Sequence, residues 1–170
     1  MSNDVPSLGD RFKAAFRDHP AAVTLITAQT PEGPVGLTAS SVASVATDPP
    51  ALSFSVTRAT GTAGALLASG DVFVHFLTPD HIDTAGRFAV SGGERFTPEQ
   101  GWSFDDDGAP RLAGERARLR ARIVQTVPVG SSVLVVAHVS DIDQGEGGTP
   151  LVYADRRFFP LTAEGVPLTR

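Results

Sequence analysis

Along this chain apolar residues fall at helical spacing in three places and alternate with polar ones almost everywhere else. Leu8, Phe12, Ala15 and Phe16 share one helical face between charged residues, so residues 7–19 are expected to form an amphipathic N-terminal helix packed on a barrel and ended by Pro20. Beyond Pro20 the period changes to two. The run AAVTLITA at 21–28 is apolar and β-branched, and PEGP at 31–34 is a turn that leads into a second strand through Val35 and Leu37. SSVASVAT at 40–47 alternates up to the stop Asp48-Pro49-Pro50, and ALSFSVT at 51–57 is another strand.

The Ala- and Leu-rich residues 59–69 predict a short helix, and residues 72–77 a strand. Thr78-Pro79-Asp80 opens a further helix, with Thr78 as N-cap and Pro79 at its first position, running to Val90. Residues 91–110 are rich in Gly and Asp and follow neither period; loops of that length are often functional or disordered. Residues 115–126, 132–142, 150–153 and 157–161 read as strands joined by short turns, of which GEGGTP is the clearest. Many short strands with few helices predict a mainly β fold, a closed or nearly closed barrel.

With 170 residues, 41% of them hydrophobic, the chain suffices for one core, and one domain over residues 1–170 is expected. A net charge of −5 without a basic block argues against nucleic acid as a partner. The absence of cysteine excludes disulfides, thiolate metal sites and thiol catalysis. The start, MSNDVPSLGDRF, has neither the basic nor the apolar part of a leader, and no apolar run approaches the roughly 20 residues that span a bilayer. A soluble cytoplasmic protein with no membrane partner is the expectation.

No phosphate-binding Walker loop, GxSxG, HExxH or CxxC string is present. His19, His75, His81 and His138 stand far apart, with no local metal-ligand spacing, and are read as structural, so no metal is expected. Asp105, Asp106 and Asp107, three acids in a Gly-rich loop, are read as a solvated turn. What remains is residues 36–62, GLTASSVASVATDPPALSFSVTRATGT, dense in small hydroxyl residues and glycine. Small residues let backbone approach a planar ring, and clustered hydroxyls with exposed amides suit a phosphate or ribityl chain; such residues are also plain turn formers.

In order and in local strings the chain resembles the flavin reductase-like family, the FMN-binding split barrels. The matching strings are AAVTLITAQTPEGPVGLTASSVASVATDPPALSFSV, GDVFVHFLTPDHIDTAGRFAVSGGERF, GAPRLAGERARLRARIV after Trp102, and PLVYADRRF. The resemblance implies a six-stranded antiparallel split β-barrel that forms a homodimer and holds FMN, with FAD as an alternative, in a groove near the dimer interface. By match to the family motif, Thr38, Ala39, Ser40 and Ser41 would lie along the flavin, with Ser55 on the adjoining strand. Arg58, Thr60 and Thr62 would receive the phosphate, the arginine through charge-assisted hydrogen bonds. Arg95 would meet flavin or dinucleotide charge, and Phe96 would cover the ring. No catalytic acid is implied, because the flavin supplies the redox chemistry. The implied activity is an NAD(P)H-dependent flavin reductase, with NADH or NADPH as hydride donor and a monooxygenase as recipient of reduced flavin.

One departure bears on that activity. Where the family carries Gly-Asp-His at the head of a late strand, near the meeting point of flavin and nicotinamide, this chain has Gly130-Ser131-Ser132. His138 lies six residues on, roughly 20 Å along a strand, and cannot substitute. A non-catalytic FMN carrier or sensor and a split-barrel oxidoreductase using a deazaflavin are therefore the alternatives.

Overall fold

The computed structural model describes residues 5–162; residues 1–4 and 163–170, the two ends of the single domain expected over 1–170, lie outside them. Helix α1 is Leu8–Arg17, with Ser7 as its N-cap: the Ser7 hydroxyl accepts from the Asp10 N–H at 3.1 Å. The strand expected over 21–28 divides into β1 (Ala21–Ala22) and β2 (Thr24–Thr30), which serve different sheets. Then follow β3 (Gly33–Ala39), β4 (Ala43–Thr47), β5 (Pro50–Thr57), α2 (Gly61–Ser69) and β6 (Asp71–Phe76). A 3-10 turn at Pro79–His81 opens α3 (Ile82–Ala89). The His81 ring sets that turn, accepting at Nδ1 from the Thr78 N–H at 3.1 Å, with Nε2 2.9 Å from the Ala113 carbonyl.

The segment over 91–110 is ordered by a 3-10 turn and a small hairpin, β7 (Trp102–Phe104) with β8 (Pro110–Leu112). Two long strands, β9 (Ala117–Val129) and β10 (Ser132–Gln144), are followed by β11 (Leu151–Ala154) and β12 (Arg157–Pro160).

The main sheet runs β3-β2-β6-β9-β10-β5-β4, and its pairings are antiparallel. It has seven strands where six were expected, and its end strands β3 and β4 are not hydrogen-bonded to each other, so the barrel is not closed. Register shifts at two points of the β9–β10 ladder and one of the β4–β5 ladder curl the sheet. The inner face holds one core, including Ile26, Phe54, Leu66, Val74 and Val135. Strand β2 is buried on both sides, so Leu25, with Val23 just ahead of the strand, feeds a second core beneath α3, with Leu77, Phe88, Trp102 and Leu151.

Two expectations are corrected. Helix α1 forms, but its apolar side chains do not pack on the barrel: Leu8, Phe12 and Phe16 are 79%, 62% and 59% exposed. Among the described residues it is tied near its end, where Arg17 Nε meets Asp155 Oδ1 at 3.0 Å and the Arg17 carbonyl accepts from the Asp155 N–H at 2.7 Å. Two of the three aspartates are not free in their turn either, Asp106 alone staying exposed without an ion pair among the described residues. Asp105 pairs with Arg118 at 2.6 Å and Arg111 at 3.0 Å, and Asp107 with Arg120 at 2.7 Å. Arginines spaced by two on β9 reach one side of the sheet together, a partner set that the aspartate triplet alone does not disclose.

Candidate functional site

A cavity of about 660 Å³ opens where three elements end. Its floor is Gly36 and Leu37 of β3; one wall is Arg58 and the first turn of α2; the other is Phe88 and the loop Val90–Gly93 after α3. Gly36 allows this arrangement sterically. A Cβ there would stand 2.8 Å from Phe88 Cε1 and 3.0 Å from Thr27 Cγ2, closer than side chains pack.

The α2 wall is built to receive an anion. Thr60 is the N-cap, yet its hydroxyl does not cap the helix, and the first turn, Gly61-Thr62-Ala63, carries no acid. The leading N–H groups of a helix lack partners within it and lie at the positive end of its dipole. Arg58 sits just before them at φ 57, an uncommon conformation for a residue with a side chain. Its N–H donates to the Ser131 carbonyl at 2.9 Å, which fixes the turn against the β9–β10 hairpin. Arg58 is exposed and forms no ion pair among the described residues. Across the cavity, Arg95 Nη1 donates to the Gly36 carbonyl at 3.0 Å and Nη2 to the Val90 carbonyl, and the guanidinium lies 5.2 Å from the centre of the Phe88 ring. Its Nε is buried without a partner.

Of the residues singled out in the sequence, Arg58, Thr60, Thr62 and Arg95 come together here. The GLTASS residues do not line the same space. Thr38 and Ser40 border a neighbouring cleft of about 210 Å³ with Val23, Ala89, Tyr153 and Phe158, and the Thr38 hydroxyl is engaged by the Ala85 carbonyl at 2.6 Å. Ala39 belongs to the barrel core. Ser41 and Ser55 do meet, the Ser41 hydroxyl accepting from the Ser55 N–H at 2.9 Å, but as an exposed clip between strands. Phe96 meets Phe88 edge-on at 5.0 Å and Trp102 at a tilt at 4.8 Å, half-buried against the second core. The aromatic ring that borders the cavity is Phe88, whose helical position among core residues conceals it in the sequence. Ser131 and Ser132 lie next to the cavity: Ser132 pairs in register with Thr57, a lining residue.

His75 has a different task. Wholly buried, it spans Glu115, whose Oε2 is 2.5 Å from Nδ1, and Thr27, whose hydroxyl is 2.8 Å from Nε2, and its ring meets Trp102 edge-on at 5.3 Å. This holds β2, β6 and the segment before β9 together, outside the cavity lining.

The dimensions suit a ring-bearing phosphate: the anion at the α2 end, and a planar group along the glycine floor beside Phe88. The donor set fits a flavin mononucleotide, because the cavity offers cationic and neutral donors at one end, an aromatic edge and open backbone at the other, and an unpartnered buried Nε between. Known proteins agree. Residues 16–162 match the flavin reductase like domain. The chain is 35% identical to an NADH:FMN oxidoreductase of Rhodococcus qingshengii over 91% of this chain and 82% of that protein. It is 32% identical to the 4-hydroxyphenylacetate 3-monooxygenase reductase component of Pseudomonas aeruginosa, covering 88% and 90%. The crystal structure of a flavin reductase domain protein from Arthrobacter sp. FB24 superposes with a TM-score of 0.83 at 29% identity, covering 96% of this chain and 99% of that one. The chain belongs to the flavin reductase like domain family.

Proposed function

We propose that the protein is an FMN reductase that takes hydride from NADH, and that the cavity between β3, α2 and the loop after α3 seats the flavin. The single observation that carries this reading is the uncapped, acid-free first turn of α2 beside the unpaired Arg58, opening into a cavity large enough for the ring. FMN is preferred to FAD because similar proteins are named NADH:FMN oxidoreductase and FMN reductase (NADH). Bound flavin supplies the acceptor for hydride. Arg58 and the Thr60–Thr62 turn hold the phosphate and so set where the ring lies. Arg95 is held by two carbonyls, so it needs no reorganisation to present positive charge to the ring edge. Phe88 covers one side of the floor and limits water there. None of these groups moves a proton.

The neighbouring cleft supports Thr38 and Ser40 as bordering the second reactant. Val124, Val129 and Leu134 are exposed on the β9–β10 ribbon, which supports a homodimer, and we read β3-β2-β6-β9-β10-β5 as the six barrel strands with β4 added at the edge. One domain and a cytoplasmic setting are read from the sequence; no helix of the described residues is long and apolar enough to cross a membrane. A monooxygenase is the proposed recipient of the reduced flavin.

A second reading has one observation in its favour. Ser131 and Ser132 stand beside Arg58 and Thr57, through a backbone hydrogen bond and strand pairing, where the resemblance implies an acid and an imidazole, so a flavin carrier is the alternative. Oxidation of NADH followed at 340 nm separates them. The reductase gives FMN-dependent oxidation well above the rate of the mixture without protein; a carrier binds FMN and leaves that rate unchanged.

A further inference from the structure

Behind the cavity three polar side chains are buried in a row. Glu115 Oε2 lies 2.5 Å from His75 Nδ1, and the Thr27 hydroxyl lies 2.8 Å from His75 Nε2. Both ring nitrogens are engaged, so the imidazole is fixed in place and in plane. A buried carboxyl–imidazole pair is a costly way to join β2, β6 and the segment before β9, because an apolar set of the same volume often packs as well or better. The pair calls for a reason besides stability.

Two lines of contact run from His75 to the cavity. On one side Thr27 stands opposite Gly36 in the β2–β3 ladder, and its Cγ2 comes within 3.0 Å of where a Cβ on Gly36 would be. That methyl backs the floor from beneath. On the other side the Trp102 ring meets the imidazole edge-on, with centres 5.3 Å apart and planes at 86°, and its centre lies 5.5 Å from that of Phe88. Phe88 lines the cavity, and its Cε1 comes within 2.8 Å of the same Cβ position on Gly36. Both lines end at Gly36 and Phe88, the floor and the wall beside it, and neither runs through Arg58 or the first turn of α2. Hydrogen bonds at both ring nitrogens specify one position for the ring, and so for the aromatic side chains that rest on it, where an apolar group would tolerate several.

We propose that His75, anchored by Glu115 and Thr27, is a positioning residue for hydride transfer: it sets the surface on which the flavin ring lies, while Arg58 and the α2 turn hold the phosphate. The proposal rests on the reductase reading and adds to it a residue outside the cavity. Affinity and rate are then governed by different residues. A flavin held by its phosphate stays bound even when its ring is displaced from the near-attack geometry, and the displacement is felt in the rate.

The test replaces the pair by apolar residues of similar size, His75→Phe with Glu115→Met, and follows FMN binding, NADH oxidation at 340 nm and the visible bands of bound FMN. Such a replacement is often neutral or stabilising, so a merely structural role predicts parental turnover. The proposal predicts a folded variant with little change in FMN affinity, a kcat at saturating FMN and NADH about tenfold lower, and altered bands of the bound flavin. Glu115→Gln keeps an oxygen for Nδ1 and should lose at most about twofold. Thr27→Val keeps the shape of the side chain and removes its bond to Nε2; it carries the test if the double variant does not fold, with kcat about threefold lower. Parental kcat and flavin bands in the double variant, or in Thr27→Val where it takes that place, overturn the proposal. So does a loss in Glu115→Gln as large as that in the double variant, which would assign the effect to buried charge rather than to ring position. A parent that binds FMN without oxidising NADH sinks the reductase reading instead, and the flavin bands of parent and variants then decide the proposal. A parent that binds no FMN overturns both.

Discussion

Two arginine-rich regions of this molecule use the same side chain for opposite ends. At the far end of the long ribbon, Arg118 is 6% exposed and fully engaged: Asp105 and Asp143 at 2.6 Å each, and the Pro110 carbonyl at 2.9 Å. Arg111 closes the network, meeting Asp105 at 3.0 Å and Asp143 at 3.1 Å. At the mouth of α2, Arg58 forms no ion pair among the described residues and is held by its backbone N–H on the Ser131 carbonyl. Satisfied arginines fix a loop to a sheet; an unsatisfied one beside free N–H groups waits for an anion. The pairing state, not the residue type, separates structure from function here.

The largest expected effect lies in the paired region. Arg118→Ala removes the buried member of the network and leaves Asp105 and Asp143 bridged by the half-exposed Arg111 alone, and should cost about 3 kcal/mol, a fall of roughly 10 °C in Tm. FMN affinity of the folded variant should change little; a Tm within 2 °C of the parent, on a scale of about 2–4 °C per kcal/mol, would show that the network holds nothing. Next comes Gly36→Ala, which blurs the comparison because its Cβ would push Phe88 into both the cavity and the second core. It should lose about 1–3 kcal/mol from overpacking and weaken FMN as well, and a variant with parental stability and affinity would mean that the floor is not tight.

The smallest effect is in pH. Hydrogen bonds from Arg111 and then Arg118 hold the Asp105 carboxyl below its ordinary range, and a hydrogen bond from Arg118 does the same for Asp143. A depressed folded pKa gives stability that is complete above the unfolded value, about 3.9, and is lost as pH falls through the folded one. Stability should therefore decline below about pH 4, and less steeply in Arg118→Ala. At the α2 end the titrating group belongs to the ligand: FMN affinity should weaken below about pH 6, where a phosphomonoester loses its second charge. A single shared pH window in denaturation and FMN titrations would contradict the division into two regions.

Much of this was legible in the chain. Period-two runs bounded by PEGP, DPP and GEGGTP marked the strands, and the Ala-rich run after Arg58 marked α2; Arg58, Thr60 and Thr62, which line the cavity together, were singled out by the resemblance to the family motif. Three things could not. Residues 91–110 follow no period because long-range ion pairs, rather than a continuous apolar face, order them. Strand number escaped because β4 is short and exposed and gains its place only by pairing with β5. The role of the glycine that opens GLTASS, and of Phe88 rather than Phe96 in the wall, depends on a contact between residues far apart in sequence that no local pattern records.

The central claim is that the unpaired end of α2 seats the flavin phosphate, and the most direct measurement compares FMN with riboflavin. Trp102 is the sole tryptophan, its ring 5.5 Å from that of Phe88 in the cavity wall, so quenching of its fluorescence reports binding. The account predicts that FMN binds at least about tenfold tighter than riboflavin, as expected for a phosphate held by an arginine and a helix N-terminus, and that Arg58→Ala removes most of that preference. Equal affinities for FMN and riboflavin in the parent, or a preference untouched by Arg58→Ala, would contradict it.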